Sequence, residues 1–204
     1  MKLLCICPIG IGNYLLTYPA CHAIKHARPD VSLHLLGLRK GISDFASDDP
    51  LWDEIHIFDP TKEKRSPLQR AMFVMDMRGR KFDASLNFFP SNKRLYNLLP
   101  FLAGIRRRLG FSYHCRQLST ISFLNTKRIN VDLNAHDARQ NMHLAAAFCE
   151  NPQLAEQQFV FPRLFGEQES QWAQEHITSL GARGCIAIHP GSSPEHGMIH
   201  KRWP

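Results

Sequence analysis

The sequence predicts an α/β fold: a Rossmann-like parallel sheet followed by the opening of a second unit of the same kind. Three observations carry that expectation. Strand-like and helix-like segments alternate through the first 150 residues, which is the pattern of parallel β-α-β units. A glycine turn, Gly10-Ile11-Gly12-Asn13, follows the first apolar strand. Near the end, the apolar run 185–189 opens into Pro190-Gly191-Ser192-Ser193 beside the basic stretch Lys201-Arg202-Trp203-Pro204. A strand opening into a Gly/Ser turn beside cations is how α/β proteins hold phosphate.

Each element has its own warrant. Residues 2–7 form an apolar strand. Residues 14–26 place Leu15, Leu16, Ala20, Ala23 and Ile24 at helical spacing. Strands are expected at 31–36, 54–58 and 84–88, with helices at 40–46, 68–80 and 93–102 between and after them. In the 68–80 helix the apolar positions are Met72, Phe73, Met75 and Met77. A short strand follows at 107–110. Residues 111–135 lack regular periodicity and read as a long loop. Residues 137–149 are an amphipathic helix that Asn151-Pro152 ends. Residues 159–164 read as extended linker, 167–180 as a helix capped by Gly181, and 186–189 as the start of a new sheet. The expected organisation is one domain over 1–150, a linker over 151–166 and an incomplete second domain over 167–204.

Composition narrows the function classes. A chain of 204 residues, 44% hydrophobic, can bury one sizeable core. No apolar run reaches the roughly 20 residues that span a membrane, and the N-terminus is too short for a signal-peptide core, so a cytoplasmic protein is expected. The six cysteines form no C-x-x-C pair. Cys5 and Cys7 share one face of a strand and read as small core hydrophobes. The net charge of +7, with basic clusters at 62–65, 78–81, 106–108 and 201–202, favours phosphorylated small molecules or acidic headgroups as partners. No helix-turn-helix, zinc finger or aromatic RNA-binding strand is present, so nucleic acid is not expected. His22 and His26 stand four apart on the first helix, a metal-ligand spacing, but no third ligand accompanies them. No metal and no cofactor are expected.

The turn at 10–13 lacks the third glycine of a dinucleotide fingerprint, because Leu15 and Leu16 fill that region. Its glycines serve either a ligand's approach or only the turn. The pieces in order say more. Gly10-Ile-Gly12-Asn13 with Thr17-Tyr-Pro19-Ala20-Cys-His-Ala-Ile24, then Phe89-Pro90-Ser91-Asn92-Lys93 through Gly104-Ile105 to Arg108-Leu-Gly110-Phe111, then His136, Arg139 and Asn141, then His189-Pro190-Gly191-Ser192-Ser193 and Lys201-Arg202-Trp203-Pro204 resemble glycosyltransferase family 9. These are the heptosyltransferases of lipopolysaccharide core synthesis. The likeness runs through essentially the whole chain.

The resemblance implies a GT-B fold, two facing Rossmann-like domains with substrates between them. It implies inverting, metal-independent transfer of a heptose or related sugar from an ADP-heptose-like donor to a phosphorylated glycolipid, with peripheral association at the inner membrane. The position matching Asn13 is commonly an Asp, the family's proposed base. An amide takes no proton near neutral pH, so Asn13 can position a hydroxyl but not deprotonate it. Another carboxylate then serves, or positioning and donor activation suffice, or the protein is inactive. On the acceptor side stand Gly12, Asn13 and Asn92, with the cations Lys62, Lys64, Arg65, Lys93 and Arg94, which sit in or after predicted loops at the carboxyl ends of strands, where open α/β sheets bind ligands. On the donor-phosphate side the resemblance points to Gly191, Ser192, Ser193 and Lys201. With the donor unit stopping at Pro204, the chain is expected to be inactive by itself. The alternative is a non-catalytic module that binds a glycolipid or a protein.

Overall fold

Six parallel strands lie in the order β3-β2-β1-β4-β5-β6 in a computed structural model that describes residues 1–7, 10–37, 40–58, 66–91, 93–113, 117–163 and 165–181. The strands are β1 (Lys2–Cys7), β2 (Ser32–Gly37), β3 (Glu54–Ile57), β4 (Ala84–Asn87), β5 (Arg107–Ser112) and β6 (Lys127–Asn130). Between and after them come α1 (Ile11–Ala27), α2 (Lys40–Ala46), α3 (Pro67–Gly79), α4 (Arg94–Leu102), α5 (Gln117–Thr120) and α6 (Asp137–Cys149). The chain divides into two units, Met1–Pro162 and Arg163–Pro204.

The sheet is buried on both faces, which is why its central strands read as continuous apolar runs. Leu3, Cys5, Leu33, Leu35, Leu86 and Phe111 share one core with α1 and α6. Leu4, Ile6 and Leu36 share the other with Met77, Phe82, Tyr96 and Leu99. Cys5, Cys7 and Cys21 are fully buried free thiols. Burial, with Cys5 alongside, pushes the Cys21 thiol up, so it stays protonated and behaves as a core hydrophobe.

Helix starts follow their local chemistry. Ser66 caps α3: its hydroxyl accepts from the Gln69 N–H at 3.3 Å, and Gln69 Oε1 accepts from the Ser66 N–H at 3.1 Å, with Pro67 in the first turn. His136 caps α6 by accepting the Ala138 N–H on Nδ1 at 3.2 Å. In α1, Pro19 removes the N–H that would meet the Leu15 carbonyl, and the Thr17 hydroxyl bonds the Asn13 carbonyl at 2.8 Å.

The structure departs from the sequence reading in four places. First, α1 begins at Ile11, so Gly12 and Asn13 lie in its first turn and not in a loop before it. Second, residues 111–135 are not a long loop. β5 extends to Ser112 and pairs with an edge strand, β6, whose sequence Lys-Arg-Ile-Asn has no apolar alternation to reveal it. Third, on α3 only Met77 is buried; Leu68, Met72 and Met75 face solvent. Fourth, residues 152–156 form a 3-10 turn packed on α6, with Leu154 and Ala155 buried.

In the second unit, α7 (Glu167–Ser179) places Glu167 and Glu169 in its first turn, where carboxylates oppose the helix dipole. Glu169 accepts the Gly166 N–H at 2.8 Å, and Gly181 follows at φ 66°, the left-handed region suited to glycine. None of its helical residues is buried. The expected strand at 186–189 lies outside the described residues.

Candidate functional site

Strand order fixes where a ligand crevice can form. β1 and β4 are neighbours at the centre of the sheet, and the chain leaves them in opposite lateral directions: β1 leads toward β2 and β3, β4 toward β5 and β6. In such sheets the loops beyond the carboxyl ends of the two strands part and leave a crevice. Here it is bordered by the start of α1 after β1 and by Phe88–Ser91 after β4.

Gly10, the N-cap of α1, has φ −87° and ψ −169°, ordinary extended backbone. A Cβ built at Gly10 or Gly12 meets nothing within 4 Å. Neither glycine is therefore needed for the turn or for packing within the protein. What they leave open is space beside a helix N-terminus, whose N–H groups and dipole favour an anion. Gly12→Ala should raise stability, by up to about 1 kcal/mol from helix propensity, while weakening binding of an anionic ligand. Thermal unfolding with and without ligand checks both halves of this prediction.

Asn13 is partly exposed at this turn, its N–H donated to the Gly10 carbonyl at 3.0 Å. Lys93 precedes α4 in extended backbone and is exposed at the same end of the sheet. The structure thus brings Gly12, Asn13 and Lys93 to the carboxyl ends of the strands. Lys62, Lys64, Arg65, Asn92, Gly191, Ser192, Ser193 and Lys201 lie outside the described residues. Arg94, also an acceptor-side cation by sequence, instead donates to the Ser119 carbonyl at 3.1 Å.

The side chain that organises the crevice is Asn141, fully buried on α6. Its Oδ1 accepts the Phe89 N–H at 2.8 Å and its Nδ2 donates to the Leu16 carbonyl at 3.1 Å. One amide thus sets the exit of β4 against α1. The neighbouring motif residues have other work. His136 caps α6 and stacks on Phe159. Arg139 lies 4.6 Å from the Phe159 ring and bonds the carbonyls of Ala155 and Gln157. Both hold the 155–159 segment onto α6 rather than touching a ligand. Beyond β4, Ser91 is fully buried beside Tyr113, and burial pushes the Tyr113 phenol up to about 12 while Ser91 opposes the shift.

Part of the basic patch read from the sequence is structural. Arg107 donates to the Phe148 carbonyl at 2.8 Å and pairs with Glu150 at 3.2 Å. Arg108 donates to the carbonyls of Leu124 and Ile105. Arg80 is held by Asp76 and Glu54. These cations offset local carbonyls and carboxylates, so composition overstated the charge free to meet a partner.

An apolar recess of about 250 Å³ opens between α3 and α4 beyond β3, lined by Phe58, Phe73, Val74, Tyr96 and Leu99 with Arg70 at its side. The exposed Leu68, Met72 and Met75 lie on the same helix, α3. No helix among the described residues is long and apolar enough to cross a membrane.

No protein-family model and no curated protein matches the sequence. Solved structures do match the fold. The chain is similar to E. coli ADP-heptose lps heptosyltransferase II, with a TM-score of 0.63 and 19% identity over 87% of this chain and 51% of that one. It is similar to the glycosyl transferase family 9 protein from Veillonella parvula, with a TM-score of 0.65 and 18% identity over 89% and 50% of the two chains. It is also similar to E. coli heptosyltransferase WaaC with ADP-2-deoxy-2-fluoro heptose, with a TM-score of 0.59 and 15% identity over 87% and 54%. The chain thus spans about half the length of these structures. Its fold is the one expected from the ordered motifs, a Rossmann-like α/β sheet shared with GT-B heptosyltransferases.

Proposed function

We propose that the chain belongs to a glycosyltransferase that moves a heptose or related sugar from an ADP-sugar to a phosphorylated glycolipid of the lipopolysaccharide-core kind. In this reading residues 1–150 form the acceptor-binding domain, 151–166 the linker and 167–204 the opening of the donor domain. Transfer is inverting and metal-independent, in the cytoplasm, with peripheral association at the inner membrane. The observation that carries the proposal is the conjunction of the ordered motif set with a fold shared with heptosyltransferases.

The chemistry of the crevice agrees with this reading. Gly12 and the start of α1 leave room for a polar head, Asn13 positions the acceptor hydroxyl, and Lys93 meets acceptor phosphate, joined by Lys62, Lys64 and Asn92. Gly191, Ser192, Ser193 and Lys201 hold the donor diphosphate, whose negative charge grows as the sugar leaves. The apolar recess and the exposed apolar side chains of α3 suit the lipid portion of such an acceptor.

One observation favours a second reading. The residue at the start of α1 is an amide, which cannot act as a base. A domain that binds glycolipid, or a partner protein, without catalysing transfer is consistent with that change. Titration of a phosphorylated lipopolysaccharide-core acceptor into the 204-residue chain, with sugar transfer from ADP-heptose assayed in parallel, separates the two. Binding with transfer supports the first reading, and binding without transfer the second. Asn13→Ala should weaken acceptor binding in either case. If neither binding nor transfer changes in that variant, Asn13 is not in the acceptor site.

A further inference from the structure

The sheet carries a second cluster at the end away from the crevice. His34 on β2 stands opposite Glu54 on β3, and His56 follows Glu54 by two residues, so all three share one sheet face. Glu54 Oε2 lies 3.4 Å from His34 Nδ1 and 3.8 Å from His56 Nε2. All three donor atoms fall within 4.8 Å of one another. The imidazoles are parallel, 3° apart in plane and 5.8 Å between centroids, and the edge of Phe82 packs on both.

Both histidines are only 6% exposed, and His34 Nδ1 and His56 Nε2 are buried with no hydrogen-bond partner. A buried polar nitrogen without a partner costs about 1–3 kcal/mol, and here two are aimed at one carboxylate oxygen. Burial pushes both imidazoles down, so near neutral pH they are uncharged and each holds one nitrogen lone pair for a ligand. A repulsive wall is not what surrounds them. Lys2 and Arg80 are the nearby cations, and Glu54, Asp53 and Asp76 the nearby anions.

The surroundings have the form of a supported metal site. His34 Nε2 is 3.1 Å from the Ser32 hydroxyl, which can accept from it in the tautomer that leaves Nδ1 as the lone-pair atom. Arg80 holds Glu54 Oε1, which turns Oε2 toward the histidines, and Asp76 holds Arg80 at 3.1 Å. Metal–ligand bonds of about 2.0–2.2 Å in tetrahedral zinc set donor atoms about 3.3 Å apart. The 3.4 Å and 3.8 Å separations already approach that spacing.

We propose that His34, Glu54 and His56 bind one divalent transition-metal ion of the zinc class, with Ser32 and Arg80 as positioning residues and an open coordination position for water. The ion clips β3 to β2 and, through Arg80, to the end of α3. Because it sits at the amino-terminal end of the sheet, it stabilises the domain without entering the crevice.

The test uses the 204-residue chain. Zn²⁺ is titrated in competition with a chromophoric chelator, and Co²⁺ is added separately as a spectroscopic probe. The expected result is one tightly bound equivalent, cobalt d–d bands without a thiolate charge-transfer band, and a melting temperature that rises with Zn²⁺. His56→Asn and Glu54→Gln should lower Zn²⁺ affinity at least about 100-fold, and Ser32→Ala about tenfold. His22→Asn, on the first helix, should change nothing. Unaltered affinity in His56→Asn, a thiolate band, loss in His22→Asn, or no binding at micromolar Zn²⁺ would overturn the assignment. Should a variant fail to fold, the cobalt spectrum of the unaltered chain decides between nitrogen/oxygen and cysteine ligation.

Discussion

Asn97→Ala is expected to cost about 3–5 kcal/mol, the largest stability loss among single changes at polar residues here. Asn97 is fully buried on α4 and is the hub of an amide cluster. Its Oδ1 accepts from Asn87 Nδ2 at 2.8 Å and from Asn125 Nδ2 at 2.9 Å, and its Nδ2 donates to the Thr120 carbonyl at 2.8 Å. Truncation takes the acceptor from two buried amide donors and the donor from one buried carbonyl. Each loss costs about 1–3 kcal/mol, and a domain of this size holds only about 5–15 kcal/mol in all. The cluster ties β4, α4 and the segment before β6 together, so no water can easily replace the missing group. Urea unfolding should show the midpoint falling at unchanged slope. A loss under about 1 kcal/mol would mean that the cluster relaxes. Gly110 belongs to the same arrangement, because a Cβ there would lie 2.7 Å from Asn125 Nδ2.

Asn141→Ala should cost about 2–4 kcal/mol and, unlike Asn97→Ala, should also weaken ligand binding in the folded fraction. The amide joins the exit of β4 to α1, the two borders of the crevice. Removing it leaves the Phe89 N–H and the Leu16 carbonyl without this partner and frees the two borders to shift. Asn141→Asp keeps an acceptor for Phe89 but loses the donor to Leu16 and buries a carboxyl oxygen against that carbonyl, so its stability loss should be at least that of Asn141→Ala. Acceptor titration under conditions where all three proteins are folded is the deciding measurement. Equal binding by the native protein and Asn141→Ala would make Asn141 a stability residue only.

How much of this could be read from sequence depends on where burial leaves a period. Strands β1, β2 and β4 and helices α1 and α6 announce themselves because their buried positions recur at helical spacing or run continuously. β6 does not, since three of its four residues are exposed at the sheet edge. The amide cluster was invisible for another reason. Asn87, Asn97 and Asn125 are spread over three elements, and asparagine in isolation reads as turn chemistry. Likewise the sequence drew attention to His22 and His26 through their spacing, while His34, Glu54 and His56 converge only because β2 and β3 pair in one register. Asn141 was legible as a motif member, but its job as a tie between α1 and β4 needed the fold.

The packing of α1 against α6 has a consequence for synthesis. Asn141 reaches back 125 residues to the Leu16 carbonyl, and the two helices share one core. A chain emerging from the ribosome therefore carries an apolar helix whose partner is made only after the whole sheet. Until α6 follows, the exposed flank of α1 is a surface on which chaperones can bind or chains can self-associate, and the domain should become resistant to protease only once α6 has cleared the exit tunnel.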